Sequence, residues 1–534
     1  MAAPNQHLQH ERKLRGWSQA YTAEQIGAPD YYLSRWERGE VLPSPFYQQK
    51  LCELFGKTAE ELGFLQPVNE PPSSAWKITP HLSSNTIIQN DMVGNPFSYG
   101  NPISDPRRFF GRKREIQQVF SRLRNAEFES SSLVGERRIG KSSLLKYLAH
   151  PTIGQSHGLD PNTYLFVYMD LQMVHEQITP SQLWQRLLRQ ITNVLADPHI
   201  KQELVEIQQS LPFNNFALED VFDSIDAKDL YIILLLDEFE HVTKNPNFDA
   251  SFFYGLRSLA IHHHLALITS SRRELIEFCH SQALRSSPFF NIFANINIEL
   301  FSENEAFDLI SGSLDGTAIS FTDSEIETIF RIAGFHPYFL QVACSFLFDA
   351  YARNENPQER VNSLRKAFRG EAEPHLAFYW RSSDDQEKIV LITLALLGGK
   401  REANKTNPTT RRFQDLYAYF SSSLARLEKR GLVVSTGDSF ILFNESFGEW
   451  ILGEVTDTRH KQQSYEEWLT SHQGLVERIK GFSESDRKEL SEIMSRISDD
   501  YRELLFHWLT EPKSLNTAGR TIKGFLESGW DASV

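Results

Sequence analysis

The stretch Ser131-Ser132-Leu133-Val134-Gly135-Glu136-Arg137-Arg138-Ile139-Gly140-Lys141-Ser142-Ser143-Leu144-Leu145 decides how this chain reads. Gly135 and Gly140, with four residues between them and Lys141-Ser142 directly after, have the spacing of a phosphate-binding loop. The glycines let the backbone bend until successive N–H groups converge on a β-phosphate. Lys141 then reaches the β- and γ-oxygens, and the Ser142 hydroxyl can hold Mg²⁺. Ser131 to Val134 reads as a short buried strand, and Ser143 to Leu148 carries the apolar stripe of a helix. Strand, loop and helix in that order favour a nucleotide site over an ordinary glycine-rich turn. The candidate nucleotide-binding residues here are Gly135, Arg138, Ile139, Gly140, Lys141, Ser142 and Ser143.

Such a site needs a second half, an apolar strand ending in acid, and Tyr231-Ile232-Ile233-Leu234-Leu235-Leu236-Asp237-Glu238 supplies it. Asp237 is the candidate for the magnesium shell. Glu238, one residue on, is placed to polarise the water that attacks a γ-phosphate, and with Lys141 it is a candidate catalytic residue.

With 534 residues the chain has room for three or more domains, each with its own core. No apolar run approaches the roughly 20 residues that span a bilayer, and the polar opening residues predict a cytoplasmic protein without membrane contact. Cys52, Cys279 and Cys344 are far apart, which suggests buried small hydrophobes and neither disulfides nor a cysteine metal site. His262-His263-His264 lacks ligand spacing for a metal. A net charge of −14 excludes a basic surface for indiscriminate nucleic-acid binding, so any DNA contact is local.

Residues 8 to 65 hold short helical patterns punctuated by Gly16, Gly27, Pro29, Gly39 and Pro43. Leu14-Arg15-Gly16-Trp17-Ser18-Gln19, Ala23, Ile26-Gly27 and Leu33-Ser34-Arg35-Trp36-Glu37-Arg38-Gly39 together resemble the helix-turn-helix of the Cro and phage-repressor family. The resemblance implies that Ser18 caps the second helix, that Ala23 lies at a helix crossing, and that a third helix, about Pro29 to Glu37, faces the major groove. Gln19, Asp30, Tyr31, Ser34 and Arg35 are the candidate DNA-binding residues, with Leu33 and Trp36 toward the core. From Met1 to Leu65 seven Lys and Arg face eight Asp and Glu, which predicts weak non-specific affinity and leaves open a module kept for protein contacts.

Pro, Ser and Asn dominate from about Gln66 to Asp105, as in a linker. Strands are expected at Tyr164 to Met169, Leu265 to Ser270 and Ile296 to Leu300, with helices between, hence a three-layer α/β unit on a parallel sheet. Beyond Leu300 the pattern turns helical, with capping boxes at Ser302/Glu305 and Thr322/Glu325.

Residues 105 to 450 are similar to the signal-transduction ATPases with numerous domains, the STAND family related to AAA+ ATPases. Gly111-Arg112 with Glu115, Gly135 to Ser143, Leu236-Asp237-Glu238-Phe239-Glu240 and Gly334-Phe335-His336-Pro337-Tyr338-Phe339-Leu340 carry the likeness. It implies that Phe110, Gly111 and Arg112 cradle adenine, that His336 and Pro337 of the helical lid sense the nucleotide, and that Arg272 or else Arg273 feels the γ-phosphate. The family's Met-His-Asp signature is not visible.

An apolar helix Ile389 to Leu397, a long helix to Arg430, strands Leu432 to Ser435 and Phe440 to Phe443, and a Gly437-Asp438 turn suit a winged helix. Its Arg426, Lys429 and Arg430 either touch a phosphate backbone or complement a helix dipole. Leu490, Ile493, Met494, Ile497, Tyr501, Leu504, Leu505 and Trp508 predict an amphipathic tail helix. The expected layout is helix-turn-helix 1–66, linker 67–105, P-loop ATPase core 106–300, helical lid 301–378, winged helix 379–456 and helical tail 457–534. The expected function is a slow ATP-hydrolysing switch using ATP/ADP and Mg²⁺, able to form a nucleotide-dependent homo-oligomer. It would respond to an unknown signal and regulate transcription through residues 1–66. The alternative is an immunity-type ATPase with the first domain as a protein adaptor.

Overall fold

The computed structural model describes residues 5–26, 33, 36–38, 43, 45–64, 94–175, 177–209, 215–398, 420–436, 440–456, 463–480, 484–495 and 497–509. They fall into two compact units, Met1–Pro96 with Gly316–Ile326, and Phe97–Asp315 with Glu327–Val534.

In the first unit, helices Gln6–Leu14, Gln19–Gln25 and Pro45–Phe55 enclose a core of Leu8, Ala23, Ile26, Leu33, Trp36, Leu51 and Phe55. Ser18 caps the second helix as expected, its Oγ accepting from the Tyr21 N–H at 3.0 Å. A buried ion pair ties the ends of this unit's motif together, with Arg12 Nη2 donating to Glu37 Oε2 at 2.9 Å.

The second unit is built on a parallel sheet, five-stranded among the described residues: β1 (Ser131–Val134), β2 (Tyr164–Asp170), β3 (Tyr231–Asp237), β4 (Leu265–Ser271) and β5 (Ala294–Asn297), in the order β2-β3-β4-β1-β5. Side chains alternate across the pleat. Ile232, Leu234 and Leu236 enter one core with Leu165, Val167, Leu265 and Leu267, while Ile233 and Leu235 enter the other with Leu133, Ala266 and Ile268. Apolar side chains on both faces make the continuous hydrophobic run of β3 necessary and give the three-layer α/β architecture. The strand order places the carboxyl end of β1 beside that of β4, with β3 next over. In open α/β sheets that edge of the sheet is where ligands collect.

β5 ends earlier than the expected Leu300. Ile298 N still reaches Val134 O at 2.7 Å, but β1 turns into the loop there and offers no further partner, and Phe301 N bonds Phe335 O instead. Helices Glu303–Leu314, Pro337–Ala352 and Pro357–Arg381 follow, the first opened by the Ser302/Glu305 capping box. The Thr322/Glu325 pair also makes reciprocal bonds. Next come helices Asp385–Gly398 and Ser421–Lys429, an antiparallel pair β6 (Val433–Ser435) and β7 (Phe440–Leu442), and helix Glu445–Val455. Gly437-Asp438 lies outside the described residues.

Helices Tyr465–Ser471 and Gln473–Ile479 open the tail, and the stretch from Leu490 to Trp508, where one helix was expected, is shared between two, Glu484–Met494 and Asp499–Leu509. Asp499 and Asp500 start the second with acids in its first turn, and the buried Arg502 donates to the carbonyls of Met494 and Ile497, closing the end of the first. The segment Phe97 to Ile103, expected as linker, belongs to the second unit: Ser98 N donates to Gln341 Oε1 and Ile103 N to Ser143 Oγ, and the Phe97 ring meets Phe348.

Candidate functional site

The loop leaves β1 at Gly135, whose N–H bonds Ser271 O at 3.1 Å. A Cβ at Gly135 would lie 2.8 Å from the carbonyl oxygen of Ile298, just past β5, and 3.0 Å from the buried Ile139 side chain, so glycine is the residue that fits without a shift of the backbone. Gly140 takes φ +104 at the start of helix Lys141–Leu148, and Arg138 takes φ +67. The buried ammonium of Lys141 donates to the carbonyls of Gly135 at 2.9 Å and Glu136 at 3.2 Å. Ser142 is the second residue of that helix, and Ser143 Oγ accepts the Ile103 N–H.

Arg112, expected at adenine, braces the loop from behind. Its buried guanidinium donates to Ile139 O at 2.9 Å and lies over the Phe301 ring, while its main-chain N–H goes to Glu305 Oε1. Burial lowers its pKa against the pull of Glu115 and Glu305. Gly111 abuts the same Glu305, and Phe110 presses its ring on Gly312 of helix Glu303–Leu314. The Gly111-Arg112 segment thereby fixes the loop to the following helix, a role that the sequence did not disclose.

At the end of β3, both Asp237 oxygens hold hydroxyls. Tyr168 of β2 donates to Oδ2 at 3.0 Å, and Ser270 of β4 donates to Oδ1. Burial, then the neighbouring Asp237, pushes the Tyr168 phenol far up, so it stays a donor. Ser270 Oγ also accepts the N–H of Glu238, which takes φ +55. Burial raises the Glu238 carboxyl, Glu240 and Asp237 raise it further, and Lys141 and Arg272 oppose them. Lys141 is thus within electrostatic reach of the acid pair at one end of the sheet.

Arg272 does not stand free for a phosphate: its Nε donates to Oε1 of the fully buried Glu240 at 3.1 Å. Arg273 instead reaches Ser382 O at 3.4 Å. Glu136, Arg272, Arg273, Phe278, Phe378 and Ser382 line a cleft of about 190 Å³.

His336, the N-cap of helix Pro337–Ala352, is buried, and its Nε2 meets the Tyr379 hydroxyl at 3.2 Å. The same hydroxyl donates to the Arg137 carbonyl at 3.0 Å, so His336 is linked to the loop through Tyr379. Burial, with Arg112 nearby, lowers the His336 pKa to about 3, and the imidazole is neutral. Pro337 occupies the first turn of that helix. Gly334, before it, leaves only 2.1 Å between a Cβ and the Phe443 carbonyl oxygen, so the turn requires glycine.

Other candidates are committed elsewhere. The Gln19 amide donates to Glu37 Oε2 at 2.7 Å, and Asp30, Tyr31, Ser34 and Arg35 lie outside the described residues. Arg426 pairs with Asp384 and Glu387, Lys429 with Glu274, and Arg430 with Glu136 and Glu387, so none presents a free cation to a phosphate backbone. His263 Nδ1 lies 2.8 Å from Asp226 and 3.6 Å from Asp223, and His264 also leans on Asp226. Of the three thiols, Cys279 and Cys344 are buried and Cys52 is partly exposed, and none is in a disulfide. No described helix is long and apolar enough to cross a membrane.

With a phosphate-type loop, a strand ending in Asp237-Glu238 and a parallel sheet ordered to bring them together, the family match is decisive. Residues 125–395 match the model of Novel STAND NTPase 2. The chain belongs to that STAND NTPase family. Residues 8–62 match a helix-turn-helix model, so this STAND NTPase carries a helix-turn-helix unit at its front. Solved structures similar to it include a Walker-type ATPase of Pyrococcus abyssi, with 16% identity over 66% of this chain and 98% of that one and a TM-score of 0.41. The ORC2 protein of Aeropyrum pernix in ADPNP-ADP complexes has 14% identity over 68% and 98% and a TM-score of 0.41. The ORC1 protein of Aeropyrum pernix in complex with DNA has 14% identity over 65% and 93% and a TM-score of 0.34. No curated protein matches the chain in sequence.

Proposed function

We propose that this STAND NTPase is an ATP-dependent switch that sets the availability of its helix-turn-helix unit to DNA, and so regulates transcription in the cytoplasm. The observation that carries the reading is the convergence of the Lys141 loop and the Asp237-Glu238 strand end on one edge of the sheet. The residues fit a magnesium nucleotide. Gly135 leaves room for no Cβ, Gly140 opens helix Lys141–Leu148, whose first N–H groups have no acceptor within the helix, and the Lys141 ammonium is buried on backbone carbonyls that phosphate oxygens can replace. Ser142 and Asp237 would hold the metal, the latter oriented by Tyr168 and Ser270.

Bound Mg²⁺ would neutralise triphosphate charge, and the triphosphate supplies the anhydride whose cleavage resets the switch. Glu238 is the base that takes a proton from water, its carboxylate favoured by Lys141 and Arg272. Arg272 would exchange Glu240 for a phosphate oxygen and so distinguish ATP from ADP. Tyr379 carries the result from the loop to His336 and Pro337 of the lid, and residues 379–456 act as a winged helix that moves with the lid. Driving such a population from closed to open takes a preference of about 5 kcal/mol, within reach of several charge-assisted hydrogen bonds. Assembly of a homo-oligomer on ATP binding would follow from the same opening.

The internal commitment of Arg12 and Gln19 to Glu37, with the near-neutral charge of this unit, favours a second reading in which the unit is a protein adaptor of an immunity-type ATPase. Exposing the full chain, loaded with a non-hydrolysable ATP analogue, to random genomic fragments at low salt separates the two. Sequence-selective enrichment supports regulation, and its absence supports the adaptor.

A further inference from the structure

At the amino-terminal edge of the sheet, helix Asn215–Asp226 leads to β3 and helix Ala250–His262 leads to β4. Asp223 and Asp226 lie in the last turn of the first helix, and His263 and His264 directly follow the second. His263 Nδ1 is 2.8 Å from Asp226 Oδ2 and 3.6 Å from Asp223 Oδ1, and the donor atoms of these three residues all lie within 4.8 Å of one another. The spacing of the histidines shows no ligand set by itself, because the carboxylates come from 37 or more residues upstream.

We propose that His263, Asp223 and Asp226 form a zinc site that joins these two helices, on the edge of the sheet opposite the phosphate loop. The seven residues of β3 set it about 20 Å from Asp237, so the site stands apart from any nucleotide metal. The end of a helix carries partial negative charge, and two aspartates there call for a cation. Lys228, close by in sequence, pairs with Asp197 at 3.5 Å instead, and among the described residues the ion-pair partners of the two acids are His263 and His264. A ring nitrogen carries one proton, which serves one acceptor well, yet two carboxylates close on His263 Nδ1. A metal ion in place of that proton satisfies all three donors and releases the proton to solvent. Beside them, His264 Nδ1 is buried without a hydrogen-bond partner, 3.6 Å from Asp226 Oδ1, an orphan that a cation at Asp226 would explain.

The ligands are held in place before any ion arrives. The His263 side chain is 7% exposed with its ring 5.8 Å from Phe222, His264 stacks on Tyr231 at 4.1 Å, and Asp226 Oδ1 accepts the His264 N–H at 3.0 Å. Donors about 2.1 Å from a tetrahedral zinc are about 3.4 Å apart, a value that the observed 2.8 and 3.6 Å bracket. An imidazole among the donors selects zinc over Mg²⁺ and Ca²⁺, which prefer oxygen throughout. Asp223 is mostly exposed, which leaves a way in and room for water on the open side.

The test uses full-length protein stripped of metal by a chelator and free of nucleotide. Cobalt(II) is the visible probe, and zinc affinity is read by competition with a chromogenic chelator. The wild type is expected to bind one equivalent and to melt at a higher temperature with zinc present. His263→Ala and Asp226→Asn should each weaken zinc binding by more than about 100-fold, beyond the loss from an outer-shell change. Asp223→Asn alters an exposed side chain and keeps the test readable if the others do not fold; at least about tenfold weaker binding is expected of it. Asp237→Asn should leave the cobalt spectrum as it is. A wild type that takes up no metal, or variants that bind zinc as the wild type does, would reduce the cluster to a plain ion pair and overturn the site. A cobalt signal lost in Asp237→Asn but kept in His263→Ala would assign the ion to the other edge of the sheet and overturn it equally.

Discussion

Arg272 on the segment after β4 and Glu240 after β3 form an ion pair at 3.1 Å in which the carboxylate is wholly buried and the guanidinium is partly exposed. Among the described residues, Oε2 of Glu240 has no hydrogen-bond partner. A buried carboxylate deprived of its cation is costly, so Arg272→Ala is expected to lower stability by about 3 kcal/mol. Glu240→Gln in the same background should recover part of the loss. Urea denaturation of the two variants measures both effects.

Glu238→Gln is expected to keep nucleotide affinity within about threefold and to lower hydrolysis by at least about 100-fold, as for loss of a general base. Burial raises the Glu238 carboxyl above its ordinary 4.5, and the base must be ionised, so activity should fall with decreasing pH through a value above 4.5. Arg272 favours the ionised form. Arg272→Gln should therefore move the acid limb of the pH–rate profile further up.

Gly135→Ala forces a methyl group to within 2.8 Å of the Ile298 carbonyl oxygen. The backbone just past β5 must give way, at a cost of about 1–3 kcal/mol. Gly453→Ala is the control, since a Cβ there meets nothing within 4 Å. The midpoint of thermal unfolding should fall for the first and hold or rise for the second, where alanine replaces glycine within helix Glu445–Val455.

His336 is held neutral with a pKa of about 3, against 6.5 for an ordinary imidazole, and His375 near it has a pKa lowered to about 4, mainly by burial. The unfolded chain binds protons at these groups below pH 6.5 while the folded chain does not, so they draw stability down as pH falls from 6.5 toward 3. His336→Gln should make denaturation midpoints at pH 5 and pH 7 more nearly equal. A pH dependence as steep as that of the wild type would show that His336 ionises in the folded protein.

The loop and the acid strand were legible because each is contiguous and its chemistry dictates residue type at fixed spacing. The parallel sheet was legible because β3 is apolar on both faces. Strand order was not, since it depends on which strands pair across the chain. Tyr168 and Tyr379 escaped for the same reason, as did the partners of Glu240 and Arg430: each works through a residue far off in sequence, such as the 294 residues between Glu136 and Arg430. Ser270 had a signal, the polar Thr269-Ser270-Ser271 ending an apolar strand. The break between the tail helices went unseen because apolar spacing runs through it, while Asp499-Asp500 marked a helix start. Arg112 was read as a ligand contact because a motif names positions and not the direction a side chain takes.

Calorimetric titration of Mg-ATP into the wild-type chain and Lys141→Ala tests the nucleotide site most directly. The wild type should bind one equivalent, and loss of the buried ammonium, which donates hydrogen bonds to the carbonyls of Gly135 and Glu136, should weaken binding by at least about 100-fold. Equal affinity in the two proteins would contradict a triphosphate held between this loop and the Asp237-Glu238 strand end.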